Sequence, residues 1–411
     1  MQIWAVGLKK QPGLPASDPL SKGIDVSAYE LAILGTVRDD DRAALAKTLN
    51  DRIAEFELVP GMDFRILDAS TVDRRDLHAA FAVAYFGSPD PADVDVLGVL
   101  VGQSVPVIPV IGDVRDAGQN IPAIIADINA FIHKPADAEY DALAGALLEC
   151  LGLLRAQRRV FISYRRVEAK AAAVDLHNVL IERGFDVFLD THSIRPGETF
   201  QESLWHQLCD SDVMVMLDTP TYFESRWTRE EIGRARAKAI HVLRVIWPGH
   251  TPDRHTDLAQ TLYLEPGDLH DATGPLTDDI TAKIAVMVER IRSQSIASRY
   301  MAMTGMLRAE VKKIGGDVIG VTAHRAVGLR LEDDRVIWAY PMVGVPTAQT
   351  LNDVASRAAK AGAKNKPILV YDDIGIGSEW AAHLAWLDDN IKSVHAIKVN
   401  GAAFSIIGLE G

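Results

Sequence analysis

The fold of this chain is decided by the stretch Val160-Phe-Ile-Ser-Tyr-Arg-Arg166. Its apolar run is typical of a buried β-strand, and the polar residues after it mark the end of that strand. Two later stretches extend the pattern: Phe185-Asp-Val-Phe-Leu-Asp190 predicts a second strand that runs into a polar loop, and Ser225-Arg-Trp-Thr-Arg-Glu-Glu231 predicts a helix that carries a carboxylate. Strands that alternate with helices in this way predict a mostly parallel sheet.

The composition is that of an ordinary globular protein. The chain has 411 residues, 48% of them hydrophobic, which is enough to build two or three cores. A formal net charge of −13 argues against a nucleic-acid partner. The two cysteines, Cys150 and Cys209, form no metal-binding spacing, so we expect no metal site and a reducing, cytoplasmic location. We expect neither a signal peptide nor a membrane helix, because no apolar run approaches about 18 residues.

The chain divides into three predicted α/β units of flavodoxin-like or Rossmann-like type. They are an N-terminal unit over 1–150, a middle unit over 158–292 and a C-terminal unit over 298–411. The predicted strands of the first two units are Leu31–Leu34, Phe64–Leu67, Phe81–Phe86, Val105–Ile111, Val160–Ser163, Phe185–Leu189, Val213–Leu217 and Ile240–Ile246. The two sets match in order, which indicates either a duplicated unit or the skeleton that any two flavodoxin-like domains share.

The third unit is predicted from the strands Val336–Tyr340, Ile368–Tyr371 and Val394–Val399. Two separate helices are expected around the boundary, Thr277–Arg292 closing the middle unit and Met301–Ile314 opening the third. In the third unit, Gly375-Ile-Gly-Ser378 lacks the third glycine and the Lys-Ser/Thr pair of a phosphate loop. We therefore interpret it as a turn followed by a helix N-cap. We identify no family that this unit resembles.

The middle unit resembles a Toll/interleukin-1 receptor (TIR) domain. Three motifs carry the resemblance in the family's order: Phe161-Ile-Ser-Tyr-Arg-Arg166, Leu189-Asp190 with the loop Thr191-His-Ser-Ile-Arg-Pro-Gly-Glu-Thr-Phe200, and Ser225-Arg-Trp227 with Glu231 four residues later. The resemblance covers roughly residues 158–292, about a third of the chain. The resemblance implies an NAD⁺ glycohydrolase that cleaves the nicotinamide–ribose bond, with NAD⁺ as substrate and no separate cofactor.

The resemblance also assigns roles to individual side chains. Glu231 is the implied catalytic carboxylate. The implied substrate-binding residues are Tyr164, Arg165, Arg166, Phe200 and Trp227. Trp227 and Glu231 stand at i and i+4 of the predicted helix, so the indole can wall the pocket in which the carboxylate works.

Each assignment has a structural alternative. Glu231 could be a solvated helix charge paired with Arg234, and Glu230, about 100° away around the helix, is the weaker catalytic candidate. Either arginine could form a salt bridge to an acid such as Asp190 in place of a substrate contact. Phe200 could be a core residue at the head of a helix.

The N-terminal unit lacks this set of motifs. Its first strand ends in Gly35-Thr-Val-Arg38, and the helix expected to correspond to that of Glu231 contains no Trp-x3-Glu. If the unit is related to TIR domains, it is a degenerate one. Asp93 and Asp95 could serve a nucleoside-processing site, although surface acids are the favoured interpretation.

The resemblance implies self-association through TIR domains, because the active cleft of such enzymes is completed by a neighbouring copy. It also implies that the flanking units respond to an activating ligand or partner, in a bacterial antiphage or cell-death response. The alternative function is a non-catalytic TIR scaffold that binds other TIR domains through the loop from Thr191 to Phe200. The sequence leaves open whether the product is ADP-ribose or cyclic ADP-ribose.

Overall fold

The described residues of the computed structural model form three five-stranded sheets joined by one long helix. The structure describes residues 27–409 except 55, 57, 135–139, 154–157, 190–199, 253–258 and 323, and along 200–203 it describes the backbone. Two of the sheets are fully parallel and the third is mixed. The predicted α/β class with three units is therefore confirmed.

The N-terminal sheet has the strand order β2-β1-β3-β4-β5, the flavodoxin-like arrangement. Its strands are β1 (Tyr29–Gly35), β2 (Phe64–Leu67), β3 (Ala80–Phe86), β4 (Val107–Ile111) and β5 (Phe131–Ile132). Its helices are α1 (Asp39–Ala54), α2 (Val94–Gly102), α3 (Ala117–Asn120) and α4 (Asp141–Cys150). The strands carry nearly unbroken apolar runs because helices cover both faces of the sheet.

The middle sheet repeats this arrangement. Its strands are β6 (Arg159–Ser163), β7 (Asp186–Leu189), β8 (Val213–Asp218), β9 (His241–Ile246) and β10 (Gln260–Tyr263). Its helices are α5 (Arg166–Glu182), α6 (Phe200–Asp210) and α7 (Arg226–Ala237). The order β7-β6-β8-β9-β10 is the N-terminal order with every strand number raised by five. The two units thus share a topology.

The C-terminal sheet runs β11-β12-β13-β14-β15, antiparallel between its first three strands and parallel thereafter. The strands are β11 (Asp317–Val321), β12 (Val327–Arg330), β13 (Val336–Met342), β14 (Ile368–Tyr371) and β15 (His395–Lys398), and helices α9, α10 and α11 span Ala348–Lys360, Ser378–Asn390 and Ala402–Ile407. The sequence missed β11 and β12, because both are short and each is interrupted by a glycine. The expected N-cap is confirmed at Gly377, which precedes α10.

Helix α8 spans Asp278–Lys313, 36 residues without a break, so the prediction of two helices around residues 292 and 301 is wrong. The segment between them, Ser293-Gln-Ser-Ile-Ala-Ser298, contains neither glycine nor proline, so nothing in it stops a helix. Ile284 belongs to the core of the middle unit and Leu307 to that of the C-terminal unit, while Ala297 packs against the N-terminal core. One helix therefore contributes to all three cores.

A buried ionic network fixes α8 to the two parallel units. The Tyr29 hydroxyl of β1 donates to the Glu289 carboxylate at 2.6 Å, and Arg292 donates to the same carboxylate at 2.7 Å. Arg158, just before β6, adds a contact of 3.0 Å. A buried carboxylate is tolerated when cations and hydrogen-bond donors surround it in this way. The network therefore ties both units to a single turn of the helix.

The C-terminal unit also rests directly on the middle unit. Lys238, at the end of α7, is buried and donates to the carbonyl of Asp372 at 2.6 Å. Burial lowers the pKa of Lys238. Nearby, the Cys209 thiol of α6 donates to the carbonyl of Gly375 at 3.1 Å. The loop after β14 is thus packed against the two helices that cover one face of the middle sheet.

Among the residues that the structure describes, no helix is both long and apolar enough to cross a membrane.

Candidate functional site

The crevice of the middle sheet opens between the carboxyl ends of β6 and β8. Ser163 ends β6, and Asp218 ends the neighbouring β8. The chain leaves these two strands toward opposite sides of the sheet, because β7 lies beyond β6 and β9 beyond β8. Open α/β sheets bind their ligands at such a switch point.

Glu231 reaches this crevice from helix α7. The side chain is only 4% exposed, and its carboxylate accepts a hydrogen bond from the Ser163 hydroxyl. The Ser163 oxygen lies 2.5 Å from the hydroxyl oxygen of Tyr222, which is fully buried. The backbone between Tyr222 and α7 is fixed by Thr228, whose hydroxyl donates to the Tyr222 carbonyl at 2.7 Å. The catalytic candidate of the sequence therefore belongs to a buried Ser163–Tyr222–Glu231 cluster.

The pKa of Tyr222 reflects the electrostatics of this cluster. Burial raises the pKa of its hydroxyl well above the usual range, and the negative charge of Glu231 raises it further. Tyr222 is therefore a permanent hydrogen-bond donor at neutral pH.

A second buried charge pair lies within electrostatic reach of Tyr222. Arg244 of β9 donates to the Asp218 carboxylate at 2.7 Å, and both side chains are buried. The imidazole of His250 lies 3.4 Å from the other Asp218 oxygen. The arginine places a positive charge beneath the crevice and so offsets the charges of the two acids.

The arginines after β6 take different positions. Arg165 forms an ion pair of 2.8 Å with Glu224 and also donates to the Thr221 carbonyl, at the rim of the crevice. This matches the salt-bridge alternative, although the partner is Glu224; the proposed partner Asp190 lies outside the described residues. Arg166 begins α5 and lines an open groove beside Lys170.

The remaining candidate residues lie in different surroundings. Tyr164 is buried in the core of the middle unit. Trp227 is 44% exposed, with the Arg226 guanidinium 6.0 Å from its ring centre, so it lies at the surface one turn before the buried Glu231. Glu230 pairs with Arg226 at 2.7 Å, on the outside of the helix. Helix α6 begins at Phe200, but the side chain of Phe200 and the loop from Thr191 to Thr199 lie outside the described residues.

Sequence reasoning missed the roles of Tyr222, Asp218 and Arg244. One signal was available for Arg244, because an arginine in the apolar strand His241-Val-Leu-Arg-Val-Ile246 must find a buried acid. No sequence pattern marked Tyr222, since its contact with Ser163 joins residues 59 positions apart.

At the corresponding point of the N-terminal unit, the ends of β1 and β3 pair closely. A Cβ atom on Gly35, which ends β1, would lie 2.2 Å from the carbonyl oxygen of Phe86 at the end of β3. The carboxylate of Asp93 accepts from the Gly35 amide at 2.9 Å, and Asp95 is exposed. Asp93 therefore has a structural partner. The described part of the chain contains no group of three His, Cys, Asp or Glu side chains arranged to hold a metal ion.

Comparisons with known proteins agree with the geometry of the middle unit. Residues 160–275 match the family model of the TIR domain. The middle unit is a TIR domain, and the chain is a TIR-domain protein in which two further α/β units flank that domain.

One curated relative is a probable 2′ cyclic ADP-D-ribose synthase of Brachypodium distachyon, 28% identical over 104 residues, which are 25% of this chain and 44% of the relative. The chain thus matches less than half of that protein's length. A solved structure, the C-terminal domain of glucosamine-fructose-6-phosphate aminotransferase from Francisella tularensis, aligns with 67% of this chain and 85% of its own. Its identity is 9% and its TM-score is 0.18.

Proposed function

We propose that the TIR domain is an NAD⁺ glycohydrolase that cleaves the nicotinamide–ribose bond, with Glu231 as the catalytic carboxylate. One observation carries the proposal: the Glu231 carboxylate lies at the switch point of the middle sheet, hydrogen-bonded to the residue that ends β6. The name of the Brachypodium relative, a cyclic ADP-ribose synthase, supports the same substrate class.

The chemistry requires only one carboxylate. Nicotinamide leaves NAD⁺ as a neutral molecule, so its departure needs little acid assistance. Positive charge develops on the ribose as the bond breaks, and a fixed carboxylate stabilises that charge without having to reorganise. Most glycosidases employ two carboxylates because their leaving groups must be protonated.

The neighbours of Glu231 suit this task. Ser163 donates to the carboxylate and so limits the directions in which it can point. Arg165 lies at the rim, where its guanidinium could exchange Glu224 for a phosphate of the substrate, since Glu224 is largely exposed. Trp227 offers an exposed ring one turn before Glu231 on the same helix. Substrate entry requires Glu231 to become more accessible than the 4% it now exposes.

The ribosyl cation that forms when the nicotinamide–ribose bond breaks leads to either product. Water that attacks the ribose gives ADP-ribose, whereas a hydroxyl or ring nitrogen of the substrate itself gives a cyclic product. We also propose that the activity depends on self-association of TIR domains and on an activating ligand or partner bound by the flanking units, in an antiphage or cell-death response. This last step rests on analogy with other TIR proteins.

The decisive experiment is incubation of the full chain with NAD⁺, followed by chromatography of nicotinamide and the ribose products. Glu231→Gln should abolish nicotinamide release. Glu230→Gln is the matched control, because it changes the adjacent residue, on the outside of the helix, in the same way. The control should retain the activity, and equal activity in both variants would refute the role of Glu231.

A non-catalytic scaffold is the second candidate function. The burial of Glu231 favours it, because a carboxylate that is 4% exposed does not contact substrate in this conformation. Absence of nicotinamide release in dilute, concentrated and crowded solutions, together with measurable self-association, would support the scaffold and exclude the enzyme.

A further inference from the structure

A cleft lies where the N-terminal unit and the C-terminal unit meet helix α8. The proposed NAD chemistry does not use it. Its lining comes from the segments that precede β3 and β4, from the middle of α8 and from the turn between β11 and β12. Its volume is about 80 Å³. One water molecule needs roughly 10–15 Å³ on this measure, so the cleft has room for a small organic molecule.

Most of the lining is apolar. Phe81, Val105 and Ala297 contribute to it, and two large apolar side chains at the cleft are strongly exposed, Leu77 at 76% and Met301 at 46%. A single exposed apolar side chain has no special meaning, but several around one concavity mark a binding site. A ligand with an apolar body would remove these groups from water.

Two guanidinium groups from different units face the same cleft. The guanidinium carbon of Arg75 lies 5.3 Å from the ring centre of Phe81, and that of Arg325 lies 5.0 Å from the ring centre of Tyr300. Arg75 also donates to Gln103. An aromatic ring beneath a guanidinium restricts its orientation, and its five N–H donors allow it to bind an anion beside its existing partner.

One acid, Asp76, also lines the cleft. Its carboxylate accepts from the backbone amide of His78 at 2.8 Å, and its own amide donates to the buried Glu30 at 2.9 Å. Asp76 is thus held in the turn that leads into β3. With two arginines against one aspartate, the charges of the lining favour an anion over a cation.

We propose that this cleft binds a small organic anion built on one flat apolar ring. The ring lies against Phe81 and between the exposed side chains of Leu77 and Met301, and Arg75 holds the carboxylate or phosphate group. Because the lining joins the N-terminal unit, α8 and the C-terminal hairpin, the ligand stabilises the contact among them by mass action.

Direct binding to the full chain tests the proposal without reference to NAD cleavage. The probes are benzoate, benzamide as its neutral isostere and acetate as an anion without a ring, titrated by calorimetry. We expect benzoate to bind with one-to-one stoichiometry, and each of the other two to bind at least about tenfold more weakly.

The matched variants are Arg75→Glu and Arg74→Glu, one residue apart with the same change in charge; Arg74 is exposed and does not line the cleft. Arg75→Glu should weaken benzoate binding at least about tenfold, and Arg74→Glu should leave it unchanged. Leu77→Asp provides a second test that leaves both arginines in place, and the exposed position should tolerate it. It should weaken benzoate binding as well.

Equal binding of benzoate and benzamide, or equal losses in Arg74→Glu and Arg75→Glu, would overturn the proposal. So would the absence of saturable benzoate binding to the wild-type chain, or its persistence in both Arg75→Glu and Leu77→Asp.

Discussion

The hydroxyl oxygens of Ser163 and Tyr222 lie 2.5 Å apart at the carboxyl end of β6, and Ser163 donates its single hydrogen to Glu231. Tyr222 must therefore donate to Ser163. The result is a directed chain of hydrogen bonds that runs from Tyr222 through Ser163 to the carboxylate. The raised pKa of Tyr222 keeps its proton in place over the whole neutral range.

Tyr222→Phe should slow nicotinamide release while leaving the KM for NAD⁺ unchanged. The change removes the donor that orients Ser163 and does not touch the substrate, and one such bond contributes roughly 1 kcal/mol, or about a fivefold loss of kcat. Steady-state kinetics of the wild type and the variant measure it. Tyr263→Phe, at an exposed position of β10, is the control. A change in KM alone would contradict a positioning role.

Glu289→Gln should destabilise the whole chain by on the order of 3–5 kcal/mol, because it removes the nearest counter-charge of the buried Arg292 and a charged partner of Arg158. Urea denaturation followed by tryptophan fluorescence measures the free energy of unfolding. Glu379→Gln, in the first turn of α10, serves as a surface control and should change it by less than about 0.5 kcal/mol. Equal stability of the two variants would show that the network is dispensable.

The free energy of unfolding should fall in acid, over a pH range set by the pKa of the Glu289 carboxyl. Burial alone would raise the pKa of this carboxyl, but the charge of Arg292, its hydrogen bond and the charge of Arg158 outweigh burial and lower the pKa from 4.5 to about 2. A lowered folded-state pKa adds stability above pH 4.5, and that stability is lost as the pH falls from 4.5 toward 2. The contribution is on the order of 3 kcal/mol. Denaturation curves across this range should show the loss in the wild type and a shallower one in Glu289→Gln.

Gly375→Ala should weaken the contact between the C-terminal unit and α6. Gly375 has a φ of 77°, and a Cβ atom there would lie 2.8 Å from the Cys209 sulfur. The strained backbone and the clash together should cost about 2–3 kcal/mol in the free energy of unfolding. Gly377→Ala is the matched control, because Gly377 has a φ of −64° and open space around it, and should cost less than about 1 kcal/mol. Equal stability of the two variants would contradict the contact.

Much of the fold could be predicted because its signals are local. The apolar run of β6, the helical spacing of α5 and Gly184 after it are properties of neighbouring residues, and these elements fall where the sequence placed them within a few residues. The burial of Glu231 and its bond to Ser163 depend on packing between elements 68 residues apart, which no local pattern encodes.

The break expected in α8 failed for a related reason. The segment Ser293-Gln-Ser295 offers no apolar side chain for a helix to bury, so its sequence does not show that it lies in the interior. In the fold, three units surround the helix, so these residues are buried and their polar groups find partners, as when Ser293 donates to the Ala28 carbonyl at 2.7 Å.

The continuous α8 also determines how this molecule comes apart. A chain cut at residue 292 would leave Ile284 in the middle core and Leu307 in the C-terminal core, but it would divide α8 and take Ser293 and Arg299 away from the backbone carbonyls of Ala28 and Ser211. We therefore expect the three sheets to unfold in one cooperative step, and fragments made at the boundary that the sequence suggests to be less stable than the intact chain.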